Sequence, residues 1–187
     1  MRPRDNPFRT TRVEALRYRA PGFAWDELLV RLERQGGRGA IRGPEGSGKT
    51  TLLHELGDRL AATGCEVRRL RPDLDDRRLA VRQVRSFAAN AGRKTALLLD
   101  GADRVGRLDW WSLLRASREV AALVVTTHRE GRLPTLQRCL TSPELLAELM
   151  NELDPAALVA AQPEELYARA AGNVRVALRE RYDAVAR

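Results

Sequence analysis

Gly43-Pro44-Glu45-Gly46-Ser47-Gly48-Lys49-Thr50 fits the pattern G-x-x-x-x-G-K-[ST] with no deviation. Each residue type in it has a chemical reason. Gly43, Gly46 and Gly48 allow backbone angles, and a closeness of approach, that a side chain would block. Successive N–H groups can then point inward as a nest for an anion, reinforced by the N-terminus of the helix that follows. Lys49 is placed to reach β- and γ-phosphates as a point charge, and Thr50 to offer its hydroxyl to Mg²⁺. The predicted phosphate-contact segment is Gly43, Pro44, Glu45, Gly46, Ser47, Gly48, Lys49, Thr50 and Thr51. The plain alternative is a glycine-rich turn with an incidental lysine.

The flanks suit a phosphate loop. Residues 39–42 read as a short strand leading in. Residues 49–63 read as a helix leading out, with Leu52, Leu53, Leu56 and Leu60 as its buried stripe and Gly64 as its stop. Before the loop, Trp25, Leu28, Leu29 and Leu32 recur at helical spacing in 24–35, and Gly36 and Gly37 end that helix. Beyond it come a strand at 65–70, a helix at 76–91 and a continuous apolar strand at 95–99. A helix at 110–120, a strand at 121–127 and a short strand at 135–140 follow. Such alternation predicts an α/β fold, a three-layer sandwich with a parallel sheet.

From residue 141 the character changes. Ser142-Pro143, Asp154-Pro155 and Gln162-Pro163 each put proline at a plausible first helical position. Asn173 can cap a last helix in which Val174, Ala177, Leu178, Tyr182 and Val185 share a face. The expected division is a nucleotide-binding core at 1–140 and a short helical lid at 141–187.

A phosphate site needs an acidic partner. Asp100 closes the apolar strand 51 positions after Lys49, where it would hold Mg²⁺; a surface aspartate after a core strand is the bland reading. Hydrolysis also needs a group to orient or deprotonate water. Many ATPases place glutamate directly after the aspartate, but here that position is Gly101. Asp103 is the nearest acidic candidate, and Glu45 a weaker one. Thr126, Thr127 and His128 sit at the tip of the neighbouring strand, where a γ-phosphate sensor would be.

The 187-residue chain is 43% hydrophobic and 31% charged, which suits a folded core and excludes wholesale disorder. No apolar run is long enough to span a bilayer, so no membrane insertion is expected. MRPRDNPFRTTR at the start lacks an apolar export segment, and only Cys65 and Cys139 are present. These features predict a cytoplasmic protein with reduced thiols. The net charge of +8 can signal nucleic acid, but only Lys49 and Lys94 among 33 basic residues are lysine. A preference for arginine of that strength equally reflects a GC-rich genome, and the arginines are spread along the chain.

Three further stretches resemble the AAA+ superfamily and its signal-transduction ATPase relatives. Leu97 to Asp103, LLLDGAD, is similar to the D-G-h-D form of Walker B in that relative group. Val124 to His128, VVTTH, stands in the place of the sensor 1 strand. Gly172 to Leu178, GNVRVAL, is similar to the G-[ND]-x-R-x-A-[LI] opening of the last lid helix. Asn6-Pro7-Phe8 ahead of the loop looks like the opening of small bacterial ATPases of secretion and transposition. This resemblance implies an ATP- and Mg²⁺-dependent ATPase that drives or switches a protein or DNA contact. It implies Asp103 as the water-activating residue and Arg175 as a sensor 2 arginine reaching the γ-phosphate. It also raises a homo-oligomer, for which Arg129 and Arg132 are arginine-finger candidates, and an unidentified protein partner. Two alternatives remain: a nucleotide-dependent switch with little hydrolysis, and a small-molecule or nucleotide kinase. Of Trp110 and Trp111, one can be core while the other, on a different helical face, can be exposed; helix packing is the plain reading and a partner or oligomer contact the alternative.

Overall fold

The structure is a computed structural model that describes residues 5–73, 77–155 and 162–186. Two compact units divide the chain. One holds residues 24–43 and 52–138; the other gathers residues up to 23, 44–51 and those from 139 on.

The first unit is built on five parallel strands. They are β1 (Arg38–Arg42), β2 (Glu66–Leu70), β3 (Thr95–Leu99), β4 (Ala122–Thr127) and β5 (Thr135–Arg138), in the order β2-β3-β4-β1-β5. The central strands β3 and β4 are buried along their whole length, as their unbroken apolar runs predict. Helices cover both faces. On one face α4 (Arg77–Ala88) and α5 (Arg107–Ala116) bring Val84, Phe87, Trp110 and Leu113 onto Leu97, Leu99, Leu123 and Val125. On the other face α2 (Trp25–Arg34) is tied to β5, with Arg31 donating to the Leu136 carbonyl at 2.9 Å and Gln35 to that of Thr135 at 3.2 Å. Beside it runs α3 (Lys49–Ala62), whose residues from Leu52 on belong to this unit. A β-carbon at Gly57 would lie 2.6 Å from Leu98 Cδ1, so glycine is what lets α3 approach β3. This unit is the three-layer α/β arrangement that the alternating pattern predicts.

Helix α5 departs from expectation. It spans Arg107–Ala116 rather than 110–120, because Gly106 is the extended residue before its first turn and Ser117 closes it by donating its N–H to the Leu113 carbonyl at 2.9 Å. The expected start at Asp76 lies outside the described residues.

The second unit has its own apolar core. It contains the short α1 (Thr10–Glu14), then α6 (Pro143–Leu153), α7 (Pro163–Arg169) and α8 (Val174–Ala186). Phe8 and Leu16 are buried with Leu146, Met150, Leu153, Leu166, Val174, Ala177 and Leu178. The Asn6 amide ties the ends of the chain, donating to the Tyr182 carbonyl at 2.9 Å while its own oxygen accepts from Phe8 N–H. Ser142 caps α6 through the Leu145 N–H at 3.2 Å with Pro143 in the first turn, and Asn173 caps α8 through Val176 N–H at 3.2 Å. The helix expected at Asp154-Pro155 runs into residues 156–161, outside the described residues. The C-terminal boundary of this unit, at Cys139, falls next to the expected 140/141 division. The N-terminal residues and the glycine-rich loop join it as well, because Phe8, Leu16 and Tyr18 contribute to its interior.

Candidate functional site

Two clusters carry the residues singled out by the sequence, one in each unit. The first is the loop 44–51. Gly46 and Gly48 both adopt left-handed angles, at φ +74° and +81°. Two donors converge on the Pro44 carbonyl: Ser47 Oγ at 2.8 Å and Lys49 Nζ at 2.6 Å. Ser47 and Lys49 are buried, Thr50 and Thr51 half-buried, and Pro44 and Glu45 exposed. Lys49 opens α3, so its ammonium and the first N–H groups of that helix belong to one tight turn.

Two side chains outside the motif shape this loop. A β-carbon at Gly46 would stand 2.0 Å from Asn173 Oδ1 and 3.2 Å from the Arg175 nitrogen. The cap of α8 is therefore pressed against the loop, and Arg175 follows directly with an exposed side chain. A β-carbon at Gly48 would stand 3.2 Å from the ring of Tyr18, which is buried and meets Phe23 edge to face at 4.9 Å between centroids. Tyr18 escapes sequence reading, since no periodicity marks the stretch around it. Asn173 is legible as a helix cap but not as a neighbour of Gly46. Behind them Cys139 is fully buried, and burial pushes its thiol up to about 11 from an ordinary 9.0; a hydrogen bond with Tyr18 and the Lys49 charge pull weakly the other way.

The second cluster lies at the C-terminal ends of the strands. Register pairs Leu99 with Val125, and Arg42 with Thr127. Asp100, Thr126, Thr127 and Gly43, from which the loop departs, thus share one edge of the sheet. Thr126 Oγ1 donates to Asp100 Oδ1 at 2.6 Å and accepts from Gly101 N–H at 2.7 Å, fixing the carboxylate's orientation. Arg71 follows β2 and places its guanidinium 3.9 Å from the other Asp100 oxygen. It was not foreseen, although its place after a strand adjacent to β3 is the signal that could have found it.

Asp103 is anchored to β4 by both oxygens: Thr127 Oγ1 donates at 2.8 Å and His128 N–H at 2.7 Å. Between the two aspartates Gly101 takes φ +94°. A glutamate there would sit in a left-handed conformation that side chains resist, which accounts for glycine at that position. Glu130 bridges Arg42 at 2.6 Å and Arg138 at 3.2 Å, and the Arg42 hydrogen bond is the main reason its carboxyl stays below the usual range. Of the finger candidates, Arg132 is engaged within the chain, donating to the Val105 carbonyl at 2.8 Å and lying 4.9 Å over the Trp110 ring. Arg129 is exposed.

The donor types suit Mg²⁺ bound together with phosphates. One unit holds a threonine hydroxyl at the first turn of α3, and the other a half-buried, oriented carboxylate after β3; such ions take one or two protein oxygens and complete their shell with phosphate and water. Among the described residues no group of three or more His, Cys, Asp or Glu is assembled for a protein-only metal cage, and no helix is long and apolar enough to cross a membrane. No protein-family model matches the chain, and no curated protein matches it.

Proposed function

We propose that the chain binds ATP with Mg²⁺ and acts as an AAA+-like P-loop ATPase that drives or switches a protein or DNA contact. The observation that carries this reading is the loop itself: left-handed Gly46 and Gly48, and a buried Lys49 ammonium held 2.6 Å from a carbonyl of its own turn at the head of α3. A chain that only turned a corner would not need a lysine buried there, whereas a phosphate-binding turn does.

In this reading the N–H groups of 46–50 bind the phosphates, and Lys49 leaves the Pro44 carbonyl to neutralise charge on the β- and γ-phosphates. Thr50 and Asp100 would hold Mg²⁺, which supplies electrostatic stabilisation to the transferring phosphoryl group. Thr126 keeps Asp100 in one orientation. Asp103, exposed and tied to Thr127, is the carboxylate assigned to water. Arg175 reads the γ-phosphate from the start of α8, whose cap already touches Gly46.

One observation favours a second reading, a nucleotide switch with slow hydrolysis. Position 101 is a left-handed glycine where a catalytic glutamate would stand, and both Asp103 oxygens already accept hydrogen bonds. One experiment separates the readings: phosphate release from ATP·Mg²⁺ by the protein and by Lys49→Ala, with and without duplex DNA, beside calorimetric titration with ATP. Release that is lost in Lys49→Ala supports the ATPase. Tight binding without release supports the switch. Failure to bind nucleotide overturns both.

A further inference from the structure

Helix α5 presents two tryptophans to opposite environments. Trp110 is buried beside Leu113 and lies beneath Arg132, which fixes the helix about its axis. Trp111 is consequently turned outward and is 70% exposed; Leu108, three residues earlier, is 85% exposed. Arg107 and Arg115, one helical turn before and after Trp111, are exposed on the same stripe. The helix's one acidic residue, Asp109, faces away from the stripe, half-buried in a cleft it lines with Val84 and Val105. The unit that carries α5 holds 21 basic and 14 acidic side chains, so +7 of the chain's +8 charge resides in it.

We infer that this stripe docks an amphipathic helix of another protein, one whose apolar face is flanked by carboxylates. Charge complementarity selects the acidic flanks, since arginines bracket the apolar centre on both sides. The length agrees: from Arg107 to Arg115 the stripe runs about 12 Å, roughly the width of one helix with its side chains. Aliphatic Leu108 selects a protein over a nucleic acid, which would stack on Trp111 and pair with the arginines but gain little from leucine. Tryptophan, at the centre here, and arginine, at its borders, are among the residue types that dominate protein–protein contacts. The inference is independent of the nucleotide reading, because none of these residues belongs to either cluster described above.

The test uses the full chain and three labelled probes followed by fluorescence anisotropy. They are a synthetic 18-residue amphipathic helical peptide with a leucine face flanked by glutamates, its twin with lysines for glutamates, and a 20-nucleotide single-stranded DNA of mixed sequence. The glutamate peptide should bind saturably. The lysine twin should bind at least tenfold more weakly. Trp111→Ala, and separately Arg107→Glu with Arg115→Glu, should each weaken the glutamate peptide at least tenfold. Trp111→Ala should keep its thermal midpoint, showing that the loss is one of surface and not of fold. No binding of the glutamate peptide, equal binding of the two peptides, or indifference to Trp111→Ala overturns the inference. So does DNA binding that requires Trp111 while the peptide fails, which makes the stripe a nucleic-acid surface. Self-association abolished by Trp111→Ala likewise overturns it and makes the occupant a second copy of the chain.

Discussion

Gly46 has no room for a β-carbon, and its backbone angle disfavours one in any case. Gly46→Ala should therefore push the Asn173 cap off the loop; we expect ATP affinity to fall by at least tenfold in calorimetric titration. Gly101 is the second position where conformation decides the residue. Gly101→Glu introduces the acid common at this position in ATPases but forces a side chain into φ +94°, at a cost of about 1–2 kcal/mol. Urea denaturation should show that loss, with no gain in phosphate release. Cys139 makes the molecule sensitive to alkali. Its thiol is raised from 9.0 to about 11, so the folded state holds this proton more tightly than the unfolded chain. The associated stability is complete below pH 9 and drains away between pH 9 and about 11. Thermal midpoints measured across that range should fall less steeply for Cys139→Ala than for the parent.

At the level of the element, what could be read from sequence depended on whether the deciding interaction was local. Strands β3 and β4 were legible because apolar, partly β-branched runs closed by polar residues describe strands buried on both faces. The last helix was legible from its cap: Asn173 accepts from Val176 N–H as its type and position require. Asn173→Ala should cost about 0.5–2 kcal/mol in denaturant unfolding, and part of the loss should appear as weaker nucleotide binding, since the same side chain touches Gly46. Helix α5 was misplaced by three to four residues at each end. Trp110 looked like a beginning because it is the first core residue, but the helix starts where Gly106 allows, a turn before any burial. Of the two clusters, the glycine-rich loop was legible because its chemistry is that of the backbone. Arg71 and Tyr18 were not, because strand register brings in the one and tertiary packing the other; Arg71 is marked only by its place after a strand, and Tyr18 by nothing in the neighbouring sequence.

For the whole molecule, the two units predict where damage will spread. Phe8 is 2% exposed and lies in one core with α6 and α8. Phe8→Ala should cost about 3–5 kcal/mol, and hydrogen exchange should show protection lost in α6, α7 and α8 before it is lost in β3 and β4. The same reasoning separates the charge from the fold. Nearly all of the excess positive charge lies in the unit built on the sheet, while the other unit balances its acids and bases. Any salt-sensitive association with an acidic macromolecule should then follow substitutions on α5 and its surroundings, not substitutions in α6 to α8.

The grip of Asn6 on the Tyr182 carbonyl, 176 positions away, bears on how the molecule is made. On the ribosome the glycine-rich loop and Tyr18, which packs on Gly48, are made well before Asn173, which packs on Gly46, and before the α8 residues that close the core around Phe8. The sheet can assemble first, from pairings whose longest separations are bridged within residues 38–138. The contact of the loop with the α8 cap waits for Asn173. A nascent chain stalled before residue 173 should be one whose sheet resists protease while its loop gains no protection from added nucleotide.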